Sequence, residues 1–255
     1  MLILLPPSEG KTAPCSGALL DLGTLSFPAF TDVRMALIDE LAEVSARPDA
    51  LKILKVGPSV ADAVAAQIDL YAQPTAPARE IYTGVLFAAM DLGSANDAIL
   101  ARADKHVRIF SGLFGILQPS DQIPAYRLSM GTVLPSLGNT ARLWRTAMAD
   151  LEMGNDELII DARSGTYKVW NPPSSADHVT ISAVRVKDGV RKVVSHNAKH
   201  YRGLLAGELL LADIDLHDAE ELAEFAHILV ERGLITSVEL DPPGRTRQLT
   251  LVEEV

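Results

Sequence analysis

Residues 179–194 leave this chain the least conformational choice. Val179-Thr180-Ile181-Ser182-Ala183-Val184-Arg185-Val186 is rich in β-branched residues, Val190-Arg191-Lys192-Val193-Val194 answers it, and Lys187-Asp188-Gly189 stands between them. Asp-Gly is a strong turn signal, so the spacing predicts a β-hairpin and commits the fold to a sheet. A second hairpin is expected at the end of the chain, 234–240 against 246–252 across Asp241-Pro242-Pro243-Gly244. The apolar run at residues 1–5, stopped by Pro6-Pro7, reads as a buried strand, and so do 106–110 and 158–160.

Helical periodicity fills much of the rest. Thr31 or Asp32 is placed to cap a helix ending before Pro48, and 49–71 reads as two helices separated by Gly57-Pro58. Further helices are expected at 96–104, from Asn139 to about Met153, at 197–212, and at 218–232 with Gly233 closing the last. Pro119 to Pro135 reads as irregular chain, and no internal repeat is present. Strands and helices interleave without a fixed order. The fold class expected is α+β or mixed α/β, one mixed β-sheet flanked by helices in a single domain over 1–255.

Composition narrows the function classes. With 255 residues, 48% of them hydrophobic and 22% charged, the chain can bury a sizeable core and is not disordered throughout. One cysteine, Cys15, excludes an internal disulfide framework. Met1–Leu5 has no basic flank of the signal-peptide kind, and no window of about 18 uninterrupted apolar residues exists, so a soluble cytoplasmic protein without a membrane partner is expected. The net charge is −10, but it is unevenly spread: residues 185–203 carry +5 and 204–255 carry −9. A local anion-binding face is compatible with that distribution.

Four stretches could carry chemistry. Pro6-Pro7-Ser8-Glu9-Gly10-Lys11-Thr12 ends in Gly-Lys-Thr, but Leu5 stands where a phosphate loop needs its first glycine, and two prolines have no N–H to offer. What survives is a Lys and a Thr at the carboxyl end of a strand, where open sheets often place their sites. The stretch from Lys52 to Ala65 has the pattern of a helix-hairpin-helix. A tight turn at Gly57 followed by Ser59 would offer backbone N–H groups to a DNA phosphate, with Lys52 and Lys55 alongside. An ordinary helical hairpin fits the same residues.

Ser195 or Asn197 is placed to cap a helix on which Lys199 and Arg202 share a face, two cations that need a phosphate or a carboxylate such as Glu208. His196 and His200 stand four apart with no third ligand evident, so no metal is expected, and no motif implies a cofactor. The last group is scattered: Tyr82-Thr83, Ser111-Gly112, Tyr126-Arg127, and Asp161 with Ser164, Tyr167 and Lys168. Each alone is as consistent with fold chemistry as with function. The order Pro-x-x-x-Lys11-Thr12, Tyr82-Thr83-Gly84, Ser111 to Leu117, Pro124-x-Tyr126-Arg127-Leu128-x-Met130-Gly131 and Ala198-Lys199-x-x-Arg202-Gly203 resembles the YaaA family of bacterial peroxide-stress proteins. The resemblance spans nearly the whole chain.

That resemblance implies a single mixed α/β domain with a helix-hairpin-helix at about 48–71 and a positively charged cleft. It also implies DNA binding and a part in limiting peroxide damage, linked to low free intracellular iron. Two functions follow. In one, the hairpin grips DNA backbone without reading sequence, and Lys11, Arg127, Lys199 and Arg202 line a cleft for a strand or a flipped-out nucleotide. In the other, the chain is an enzyme on a nucleotide, nucleobase or related small anion, with Lys11, Glu9, Ser164, Tyr167 and Lys199 as candidate chemical groups.

Overall fold

The computed structural model describes residues 1–255 apart from Asp156, Val194 and Val255, and the side chains of the remainder apart from Val193, Ser195, His196 and Asn197. Strand β1 (Leu2–Leu5) is followed by six helices: α1 (Thr31–Ser45), α2 (Ala50–Leu54), α3 (Ala61–Ala66), α4 (Ala78–Ile81), α5 (Val85–Met90) and α6 (Asp97–His106). The chain then returns to the sheet as β2 (Val107–Ser111) and β3 (Gly115–Leu117). After helix α7 (Thr140–Ala147) come β4 (Leu158–Asp161), β5 (Asp177–Lys187) and β6 (Val190–Val193). Helices α8 (Ser195–Leu211), α9 (Ala219–Ala226) and α10 (Ile228–Glu231) precede the last strands, β7 (Ser237–Leu240) and β8 (Arg247–Glu254).

These strands form one sheet in the order β7-β8-β5-β4-β1-β2-β3, with β6 beside the later half of β5, and two short antiparallel pairs stand apart from it, Ala76–Pro77 with Gln122–Ile123 and Val133–Leu134 with Gly138–Asn139. The five central neighbours, β8-β5-β4-β1-β2, are parallel to one another, whereas β3, β6 and β7 pair antiparallel. Parallel strands buried on both faces need continuous apolar runs, and β1 and β4 supply them with every residue buried. The result is a mixed α/β fold around a mostly parallel sheet flanked by helices.

The expected hairpin is present across Asp188 and Gly189, both at positive φ (50° and 74°), and the terminal hairpin pairs Ser237 with Val252. Three details differ from the sequence expectation. The helix after the Asn139 cap stops at Ala147, because continuing it would have set Asp150 and Glu152 against the negative end of its own dipole. The helix expected at 218–232 is in two pieces that meet at His227. Between α2 and α3 the left-handed residue is Lys55 (φ 55°), whereas Gly57 is extended (φ −80°, ψ 166°), so the tight turn is not made by the glycine. No helix among the described residues is long and apolar enough to cross a membrane.

Candidate functional site

β1 and β4 lie side by side, but β1 leads toward β2 on one side and β4 toward β5 on the other. That reversal leaves a crevice outside their carboxyl ends, the place where open α/β sheets accept ligands. The loop leaving β1 carries Ser8 to Lys11. It is pinned by hydrogen bonds from the Thr83 N–H to the Gly10 carbonyl (3.1 Å) and from the Thr12 N–H to the Ile81 carbonyl (3.0 Å). Thr12 and Thr83 are exposed, their hydroxyls 3.5 Å apart.

Lys11 is half-buried. Its Nζ donates to the Ser8 carbonyl at 2.6 Å and lies 4.5 Å from the ring centre of Tyr126 and 5.5 Å from that of Tyr82. Burial away from water and the neighbouring Arg127 charge lower its pKa to about 7, against a smaller opposing pull from Glu9. Beneath it runs a chain of hydroxyls. The buried Ser111 Oγ accepts the N–H groups of Leu113 (3.2 Å) and Phe114 (2.9 Å), which occupy its lone pairs. Its own O–H must therefore donate to Tyr126 Oη (2.7 Å), and the Tyr126 and Tyr82 hydroxyls share the next hydrogen bond (2.9 Å). Burial raises the pKa of both tyrosines, so both stay neutral. Gly112, next along, is where the backbone turns under Leu128–Met130: a Cβ there would stand 2.5 Å from the Leu128 carbonyl oxygen.

Arg127 forms the opposite wall. Its N–H donates to Gln67 Oε1 (2.8 Å), and its guanidinium donates to the carbonyl of Glu9. Gln67 is fully buried and anchored on Ser45 (2.9 Å), a support that no local sequence signal revealed. Glu9, Lys11, Arg127 and Tyr167 line a cavity of about 340 Å³, and so do Lys55, Gly57 and Val60 from the α2–α3 connection. The hairpin region and the loop after β1, 44 residues apart at Lys11 and Lys55, thus share one concavity of ligand-binding size. Lys52 on α2 and Ser59 on the connection are both exposed, and Lys55 Nζ reaches the Gly131 carbonyl at 3.5 Å. Burial raises the Tyr167 pKa, with hydrogen bonds to Met130 backbone and Ser129 opposing it.

Lys199 stands elsewhere. It is exposed and lines a smaller pocket of about 160 Å³ on the other flank of the 6–10 loop, with Gly84 and Phe87. Arg202, one turn on, gives Nε and Nη2 to the Ile181 carbonyl (2.9 and 2.7 Å), and burial lowers its pKa. Glu208 pairs with Arg232 rather than with either. The cap proposed at Ser195 or Asn197 and the side chain of His196 lie outside the described residues.

The end of β4 holds a group that sequence reading only half found. Asp161, fully buried, takes two hydrogen bonds from the Arg163 guanidinium (both 2.9 Å) and one from His178 Nε2 (3.2 Å), while Lys168 Nζ sits 3.9 Å away. Burial opposes the charge, but these donors and cations outweigh it and hold the carboxyl below its usual range. Nδ1 of His178 shares a hydrogen bond with the Thr246 hydroxyl (3.1 Å), which ties the start of β8 to β5 and, through Asp161, to β4. Arg163 also stacks on Phe110, 4.3 Å from its ring centre. Ser164 is half-buried, and its carbonyl accepts the Tyr167 N–H (2.9 Å).

The family described as peroxide stress protein YaaA matches residues 1–228. The UPF0246 protein CE1889 of Corynebacterium efficiens is 43% identical over 99% of this chain and 100% of its own length. The UPF0246 protein SCO2297 of Streptomyces coelicolor is 38% identical over 96% and 94%, and a UPF0246 protein of Shewanella woodyi is 28% identical over 88% and 91%. The motifs gathered around Lys11 and Arg127 thus sit in a chain that, over nine-tenths of its length, belongs to the YaaA peroxide stress protein family.

Proposed function

We propose that this chain is a cytoplasmic DNA-binding protein of the peroxide-stress response, which holds the nucleic-acid backbone along the α2–α3 connection and seats a phosphate in the adjoining cavity. On this reading it shields DNA from peroxide damage and helps keep free intracellular iron low. One observation carries most of the weight: Lys55 and Gly57 line the same cavity as Lys11 and Arg127. Two cations there, Lys55 and Arg127, with the amine of Lys11, face Glu9, the one carboxylate of the lining among the described residues. A phosphodiester supplies the charge such a wall lacks, and contacts of this kind are independent of sequence and sensitive to salt. The exposed Lys52 and Ser59 would extend the grip beyond the cavity, helix-hairpin-helix fashion.

The decisive comparison is retention of duplex DNA by the wild type and by the Lys52→Glu, Lys55→Glu double variant at matched salt. Retention is expected to fall at least tenfold in the variant. Equal retention, with the variant folded, would overturn the reading. A second reading, an enzyme acting on a nucleotide, nucleobase or related anion, draws support from one specific feature. Lys11 is a poor permanent cation in its surroundings, and simple phosphate holding has no need of such an amine.

A further inference from the structure

We propose that Lys11 is a nucleophilic amine that condenses with an aldehyde borne by a phosphate-containing ligand. The inference rests on the anion-cavity reading above and adds the chemistry of the ligand. Nζ is oriented by one short hydrogen bond to the Ser8 carbonyl, and it faces the rings of Tyr126 and Tyr82. No carboxylate pairs with it among the described residues. The groups that act on its charge are Arg127 across the cavity and Glu9 on its own loop, with the ring faces of Tyr126 and Tyr82 against it. Arg127 and burial favour the neutral amine and outweigh Glu9 and the ring faces, which favour the ammonium. A lysine meant only to bind phosphate is served by the opposite arrangement, a charge kept permanently on.

The floor under Nζ is fixed. Ser111 donates to Tyr126 because two amides occupy its lone pairs, and Tyr126 is hydrogen-bonded to Tyr82, so neither ring can turn without breaking a buried hydrogen bond. The amine is therefore held in one place, with the open cavity before it and Arg127 and Lys55 available to a phosphate. In the reaction, the Nζ lone pair forms a bond to the carbonyl carbon while the π pair moves to oxygen. The two protons that nitrogen gives up pass to that oxygen, which leaves as water, and an imine remains. Glu9, the one carboxylate of the cavity lining among the described residues, and Tyr167 are the groups placed to carry those protons.

The ligand chemistry could come from a small sugar phosphate or from an abasic nucleotide in DNA, whose open form is an aldehyde between phosphates. The experiment uses both probes, glyceraldehyde 3-phosphate and a duplex with one abasic site, each with the full chain and borohydride, which reduces an imine to a stable secondary amine. Adducts are mapped by peptide mass spectrometry. The expected result is modification concentrated on Lys11 at pH 7–8, at least tenfold above the exposed Lys52 and Lys105, and abolished in Lys11→Arg, which keeps the cation but cannot form the imine. Trapping with the small aldehyde alone supports the small-molecule source, and trapping with the duplex supports the nucleic-acid one. Modification spread evenly over surface lysines, or undiminished in Lys11→Arg, would overturn the proposal. Intact-duplex retention measured on the same preparations separates the two claims: retention without trapping removes the amine chemistry only, and trapping without retention removes the DNA reading only.

Discussion

Placing an amine over two tyrosine faces sets opposing effects against each other. The ring faces favour a cation, whereas loss of water and the Arg127 charge disfavour it, and the balance lies at a pKa of about 7 against 10.5 for a free lysine. The consequence for stability has a definite sign. Above pH 7 the native state releases this proton while the unfolded chain keeps it up to about 10.5, so the unfolded state binds more protons and stability from this site rises with pH. Lys11→Met removes the titration. Denaturant unfolding from pH 6.5 to 9.5 should show the wild type gaining stability relative to Lys11→Met as pH rises. A constant difference across that range contradicts the assignment. Lys11 was legible as a residue of interest from its position after a strand, but its surroundings were not, because Tyr82, Tyr126 and Arg127 come to it from 71 to 116 residues away.

Among the elements, the crossing of α5 and α8 decides where the 6–10 loop can lie. Gly203 was read as part of a motif near two cations. Its work is packing: a Cβ there would stand 2.1 Å from the Leu86 carbonyl oxygen and 2.8 Å from Ala89 Cβ. Backbone atoms cannot rotate out of the way, so the helices would have to separate. In an exposed helix, Gly→Ala stabilises by about 1 kcal/mol. Gly203→Ala should instead destabilise by about 2 kcal/mol, the range of overpacked cores, and lower the melting temperature by roughly 4–8 °C. A melting temperature at or above the wild type would show that the crossing is not close. Helix α5 itself escaped sequence reading, since six residues, Val85 to Met90, are apolar all round and show no period. The hairpin at 188–189 was legible for the converse reason: its signal is local, two adjacent residues that tolerate positive φ.

For the molecule as a whole, the fold pairs part of the uneven charge along the sequence. Parallel pairing of β5 with β8 sets Arg185 against Glu253 (3.0 and 3.1 Å), and Arg191 reaches Glu239 of β7 (2.9 and 2.7 Å). Arg202 is committed to a backbone carbonyl. The basic centre read from residues 185–203 therefore does not form one unpaired patch, and the acidic tail is its partner. Lys11, Lys55 and Arg127, which have no carboxylate ion-pair partner among the described residues, meet instead around the β1–β4 crevice, a convergence that sheet order creates and that linear spacing cannot display. Gln67, Arg163 and His178 were overlooked for the same reason: each acts through a partner brought to it by the fold or seated beside it at a strand end.

The central claim is that Arg127 and its cavity contact a nucleic-acid phosphate, and the salt dependence of duplex affinity measures this most directly. A plot of log affinity against log salt for the wild type and Arg127→Ala should give a shallower line for the variant, by about one unit of slope, with weaker binding to every sequence tested. Coincident lines would mean that the guanidinium meets no phosphate, and the account of the cavity would be contradicted.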